Sequence, residues 1–168
     1  MINYIRSVDL RTFLSVFNYT RRTSLSSYAR LVSRSADGWL YLSLPPLIML
    51  LKPEKQTAYI LLALIGFSVE RTVYFFLKNT IRRKRPGQAI DGFQALIMAA
   101  DEFSLPSGHT SAAFFFVGFL CFGLSMVFLP LYLWALAVGL SRVVLGVHFL
   151  TDIFAGAMIG TTIVLLMV

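Results

Sequence analysis

"DEFSLPSGHTSAAFFF", residues 101–116, begins acidic, turns at a proline and then becomes apolar for the length of a helix. His109, one of two histidines in the chain, stands where the apolar run begins. Ser104 reads as the helix N-cap and Pro106 as part of its first turn. On that reading the backbone N–H groups near Ser107, Gly108 and His109 point outward unpaired. The positive end of the helix dipole lies behind them, which makes an anion site. Gly108 lets an oxyanion approach, the Ser107 hydroxyl adds a donor, and His109 can protonate a leaving oxygen. The plainer alternative is a capped helix start with an interfacial histidine.

Whether this helix enters lipid is answered by the rest of the chain. Of 168 residues, 57% are hydrophobic and 14% charged, against about 45–50% and about 25% in soluble domains. A spanning helix needs about 20 apolar residues. Thr57–Leu77 has that length, interrupted by Glu70 and Arg71, and Ser111–Leu129 and Leu131–Val147 follow. Ile153–Val168 is slightly short, and Trp39–Leu51, carrying Pro45-Pro46, is the weakest candidate. Before these, Leu10, Phe13, Leu14 and Phe17 form a helical stripe that Leu25, Tyr28 and Val32 continue, with Arg21, Arg22, Arg30 and Arg34 among the polar positions. Neither part is apolar enough to span. The expected architecture is all-α: a multi-pass transmembrane bundle of about five spans over 37–168, with residues 1–36 lying along the interface, in one domain of residues 1–168. The N-terminus has no uninterrupted apolar core and no small-residue cleavage site, so it is not read as a cleaved signal.

The net charge is +7, with six cations before residue 38 and a block Arg82-Arg83-Lys84-Arg85. Beside long apolar runs, such clusters point to lipid head groups or a phosphate-bearing substrate, not to nucleic acid. Cys121 is the only cysteine, so there is no disulfide framework.

Alternation across the bilayer brings three polar stretches to one face. The first is KNTIRRKRP, Lys78–Pro86. If the helix continues beyond the membrane, Lys78 and Arg85 are two turns apart on one stripe, with Arg82 close to it, and can hold a phosphate. The alternative is a snorkelling or topogenic patch. The second is the opening stretch. The third is SRVVLGVHFLTD, Ser141–Asp152, where His148 and Asp152 stand at i and i+4. The carboxylate can fix the ring tautomer and leave the other nitrogen free to attack. Arg142 reaches the same ligand only if the chain bends near Gly146. Charged groups at membrane depth are functional by default, the alternative being a buried structural network. A metal held by His109, His148 and Asp152 is disfavoured, because Lys78, Arg82, Arg85 and Arg142 would surround and repel it. Glu70 and Arg71 read as contacts inside the bundle, or else as the lining of a polar path.

Lys78-x6-Arg85-Pro86, Pro106-Ser107-Gly108-His109 and Ser141-Arg142-x5-His148-x3-Asp152 resemble, in order and spacing, the three motifs of the type 2 phosphatidic acid phosphatase superfamily. The resemblance covers residues from about 57 to 168. It implies a membrane lipid phosphatase, with His148 as the nucleophile forming a phosphohistidine, Asp152 orienting it, and His109 protonating the leaving group and later activating water. Lys78, Arg85, Ser107, Gly108 and Arg142 would bind the phosphate, with no metal or other cofactor. The implied partner is a phosphorylated lipid: phosphatidate, phosphatidylglycerol phosphate, undecaprenyl pyrophosphate or lipid A 1-phosphate. The reading leans toward undecaprenyl pyrophosphate or phosphatidylglycerol phosphate. Membrane members of the family commonly have six spans, one more than this chain offers, so its first helix is reduced here to interfacial segments. The family also implies the extracytoplasmic face of the cell membrane, whereas counting cations places the active side in the cytoplasm. A phosphotransferase using the same phosphohistidine and a non-catalytic lipid-binding or transport protein are the alternatives. The sequence sets no oligomeric state.

Overall fold

The computed structural model describes residues 2–21, 23–99 and 101–167. Arg22 and Val168, named in the expectations above, lie outside them. The described residues form helices α1 (Ile2–Thr20), α2 (Leu25–Ser35), α3 (Leu44–Leu51), α4 (Gln56–Ile81), a single turn α5 (Pro86–Ala89), α6 (Gly108–Gly118), α7 (Leu131–Val144) and α8 (Leu150–Met167), and no strand. The molecule is the expected all-α, membrane-spanning bundle.

α6 is its axis. Ala113, Phe115, Phe116 and Val117 are buried all round, packed between α4, α7 and α8. The tightest crossing is with α8, through Gly156-x3-Gly160. A methyl group at Gly160 would lie 2.3 Å from the Ser111 carbonyl oxygen, and one at Gly156 2.6 Å from that of Ser107. Small residues four apart are what lets helices approach this closely where no water drives them together. This spacing was not among the sequence expectations.

α4 and α8 are each long and apolar enough to cross a membrane. Their outer faces expose Leu61, Leu64, Ile65, Phe75 and Phe76 on α4 and Phe154, Met158, Leu165 and Leu166 on α8. An apolar outer wall of this extent is a lipid-facing surface. The other spans are shorter than expected. The run from Ser111 ends at Leu124, where Ser125 turns extended, instead of reaching Leu129. α7 stops at Val144 and measures about 21 Å at 1.5 Å per residue. Pro45 and Pro46 occupy the first turn of α3, where missing N–H groups cost nothing, so they start the helix and do not break it.

α1 and α2 pack on the bundle. On α1 the buried face is Asp9, Phe13, Phe17 and Thr20, with Leu10 exposed, so the stripe is rotated from the expected one. Phe13 and Phe17 meet Phe93, and Phe13 also meets Phe149, with ring centroids 4.6–5.3 Å apart. α2 lies along α7.

Candidate active site

The three polar stretches converge. Lys78 is buried in the last turn of α4. The helix does not run on to Arg85 as expected. Arg82 adopts a left-handed conformation (φ 49°), its N–H donating to the Lys78 carbonyl at 3.1 Å, and ends the helix. Arg82 itself is exposed, its Nε donating to the Asn79 carbonyl, and leaves the stripe. An extended stretch then delivers Arg85, buried, back beside Lys78. The two cations meet through Asp101 and not through a shared helical face. Lys78 Nζ lies 2.7 Å from Asp101 Oδ2, Arg85 Nη2 pairs with Oδ1, and Arg85 Nε donates to the Asp101 carbonyl at 2.9 Å. Tyr74 donates to the same carboxylate. Burial pushes Asp101 upward, but the hydrogen bonds from Lys78, Tyr74 and Arg85 outweigh it and hold the carboxyl at about 2.

α6 starts three residues later than expected, its N-cap at Ser107 and not Ser104. Ser107 holds the N-cap position without a side-chain cap. Ser104 is instead drawn to Asp152, to which its hydroxyl donates. Pro106 stands outside the helix. The Ser107 N–H is taken by the Asp152 carbonyl at 3.0 Å, and its hydroxyl accepts from Thr110. Ser107 is therefore buried behind the wall of the site, not open to a ligand. The first three helical N–H groups, of Gly108, His109 and Thr110, meet no acceptor among the described residues. Gly108 has a second reason to be glycine: a methyl group there would lie 2.8 Å from the Tyr74 ring. His109 Nε2 is 2.9 Å from Asp37 Oδ1.

The bend at Gly146 is present. Gly146 has φ 80° and donates to the Val143 carbonyl, while Val147 donates to that of Arg142. These paired bonds close α7 in a Schellman motif, which glycine alone enters without penalty. His148 follows in the connection to α8, 2% exposed. Its Nδ1 lies 3.4 Å from Asp152 Oδ2, close enough for charge pairing but without hydrogen-bond alignment, and its Nε2 lies 3.3 Å from Arg85 Nη1. Burial, the largest influence, pulls the imidazole down to about 4, against the Asp152 carboxylate and with help from Arg85 and Arg142. Asp152 is wholly buried and heavily held: Arg83 Nη1 at 2.8 Å on Oδ1, Ser104 and the Phe149 N–H on Oδ2. Arg142, 5% exposed, donates from Nη1 to Ser33 at 2.5 Å, and its Nε has no partner among the described residues.

Lys78, Arg85, Gly108, His109, Arg142 and His148 line one cavity of about 520 Å³, while Asp152 and Ser107 stand behind its wall. A larger groove of about 640 Å³, beside Asp9, Arg82 and Arg83, includes neither histidine.

Sequence reasoning missed the supporting residues. Arg83, read only as part of a basic block, bridges Asp152 and Asp9, the latter at 2.6 Å. Asp9, Ser33 and Asp37 come from the N-terminal segment. For Asp9 the signal was present: a carboxylate four and eight residues before Phe13 and Phe17 shares their buried face. Asp101 stood in the acidic start of the quoted stretch.

Comparison with known proteins agrees with this geometry. The family model of the PAP2 superfamily matches residues 56–168. Phosphatidylglycerophosphatase B of Bacillus subtilis is 37% identical over 111 residues, 60% of this chain; the chain spans 52% of that protein's length. Decaprenylphosphoryl-5-phosphoribose phosphatase of Mycobacterium tuberculosis is 30% identical over 75% of this chain and 67% of its own. Among solved structures, LpxE of Aquifex aeolicus superposes with a TM-score of 0.76 at 25% identity, covering 94% of this chain and 92% of that one. The transmembrane PAP2-type phosphatidylglycerolphosphate phosphatase of Bacillus subtilis superposes with a TM-score of 0.78 at 27% identity, covering 98% and 85%. Three motifs gathered on one cavity, in a chain matched over two thirds of its length by one family model, give a single assignment: the chain belongs to the PAP2 superfamily.

Proposed function

We propose that the protein is an integral-membrane phosphatase that hydrolyses the phosphomonoester or pyrophosphate of a lipid through a phosphohistidine on His148. The observation that carries this is the unpaired Nε of buried Arg142, on a cavity shared with Lys78, Arg85 and the free N–H groups that begin α6. An unpaired buried donor is costly, and an oxyanion is the ligand that satisfies this one together with its neighbours. The relatives' names, a phosphatidylglycerophosphatase and a decaprenylphosphoryl-5-phosphoribose phosphatase, support a phosphorylated lipid.

In the proposed cycle the phosphoryl oxygens take the place of the Asp101 carboxylate on Lys78 and Arg85. The His148 Nε2 lone pair attacks phosphorus, the bond to the lipid oxygen breaks, and that oxygen takes the proton of protonated His109. Neutral His109 then removes a proton from water, whose oxygen attacks the phosphohistidine. The N–P bond breaks, orthophosphate leaves, and both histidines regain their starting states. Asp152 holds His148 with Nδ1 protonated and stabilises the charge that forms on the ring. The cations stabilise the phosphoryl transition state without a metal.

We place the site at the extracytoplasmic face of the cell membrane, with α1 and α2 along the interface. Two of the four cations of the basic block serve the site and drop out of the topogenic count, since Arg83 is engaged by Asp9 and Asp152 and Arg85 by Asp101, while Arg82 and Lys84 stay exposed. The test is phosphate release by the purified protein from phosphatidate, phosphatidylglycerol phosphate, undecaprenyl pyrophosphate and lipid A 1-phosphate. The expected result is release that persists in EDTA and is inhibited by vanadate. Loss in EDTA, or release only when an acceptor alcohol is added, would overturn this reading.

A further inference from the structure

Arg71 and Tyr41 line the same cavity as the histidines, and the cycle above uses neither. Arg71 stands two turns before Lys78 on α4, toward the membrane interior. Its fork is held on one edge by wholly buried Glu70: Nε donates to Oε2 at 2.5 Å and Nη2 to Oε1 at 2.6 Å. Glu70 is fixed in turn by Ser111. Nη2 also donates to the Gly108 carbonyl at 3.1 Å, which ties Arg71 to the residue next to His109. Nη1 has no acceptor among the described residues. The Tyr41 hydroxyl is buried and has no partner either. A held guanidinium with one open edge and an orphaned hydroxyl on one wall make a second place for an anion.

The Tyr74 ring links this place to the first. Arg71 Cζ lies 4.7 Å and Lys78 Nζ 4.6 Å from its centroid, so the sum of the two bounds their separation. Two phosphoryl groups joined through one oxygen, each taking a charge-assisted bond of about 2.8 Å, bridge such a span. We propose that Arg71 and Tyr41 form a second phosphate subsite, which holds the phosphate left on the lipid when the terminal one moves to His148. This rests on the phosphatase reading above and narrows its substrate class to lipid heads carrying a second phosphate beside the one removed. Glu70 neutralises the pair overall, so the subsite works by directed hydrogen bonds and not by net charge.

The test compares a prenyl pyrophosphate with the prenyl monophosphate of the same chain length, and phosphatidylglycerol phosphate with phosphatidate. The expected result is that Arg71→Gln lowers the diphosphate-to-monophosphate ratio of kcat/KM on the order of 10–100-fold, the worth of one charged hydrogen bond. Tyr41→Phe lowers the ratio by less, and Arg71→Lys falls between. A loss confined to the prenyl pair assigns the subsite to pyrophosphates; a loss in both pairs extends it to phosphodiesters. Equal losses on one- and two-phosphate lipids, or none, would overturn the proposal. Melting shifts given by inorganic pyrophosphate and orthophosphate separate the two claims. A pyrophosphate preference that needs Arg71, in a protein that releases no phosphate, keeps the subsite and removes the hydrolase. No such preference in an active enzyme does the reverse.

Discussion

The two histidines line one cavity and are held in opposite ways. His148 is sealed: 2% exposed, with Asp152 beside it gripped by Arg83, Ser104 and a backbone N–H. Arg83 continues the network to Asp9 of α1, and Thr151 donates to Asp9 as well. His109 is partly open, and Asp37, itself half exposed, is its one side-chain partner among the described residues. The difference fits the roles proposed for the two imidazoles. A nucleophile must meet phosphorus along one line, so its supports are numerous and buried. A group that gives a proton and then takes one from water needs access to that water.

Alanine at each position breaks the comparison most severely. His148→Ala is expected to lower turnover on the order of 10⁴-fold or more, as loss of a covalent nucleophile does elsewhere. His109→Ala is expected to cost about 10²–10⁴-fold in turnover with natural lipids, yet to keep a fast first release of p-nitrophenol from p-nitrophenyl phosphate, whose leaving oxygen needs no proton. Steady-state kinetics on the lipid and the burst of p-nitrophenol from the ester check the pair, and an equal burst from the two variants would erase the distinction. Arg83→Gln sharpens it with a smaller effect. Asp152 and Asp9 would each lose a charged donor while buried, at about 1–3 kcal/mol per unsatisfied group. The expected outcome is a lower melting temperature in detergent and a fall in kcat with KM little altered. A variant with normal melting and normal kcat would show that Arg83 supports nothing.

The motif residues could be read from the sequence because their spacing is local. His148 and Asp152 lie one turn apart, and the bend that admits Arg142 follows from its being six residues from His148, with Gly146 between them. Lys78 and Arg85 were paired correctly, but for a reason the structure replaces: the helix ends at Ile81, and Asp101 gathers the two cations. Ser107 was expected to face the ligand and is buried, because its N–H goes to the Asp152 carbonyl across two helices. The burial of Asp9 was legible from its place on the Phe13 and Phe17 face, but the partners of Asp9, Ser33 and Asp37 were not. Their partners lie 74, 109 and 72 residues away. No periodicity in one strip of sequence encodes a contact at that distance. The Gly156-x3-Gly160 spacing was legible and went unused.

The central claim is that His148 carries the phosphoryl group, and trapping that group tests it most directly. His109→Ala protein is mixed with p-nitrophenyl phosphate, which loads the enzyme without an acid while the water step lacks its base. Alkaline quenching preserves phosphohistidine, and mass spectrometry of the peptides locates it. The expected result is phosphate on His148, absent when His148 is also replaced by alanine. Phosphate on any other residue, or p-nitrophenol released in stoichiometric excess with His148 never labelled, would contradict it.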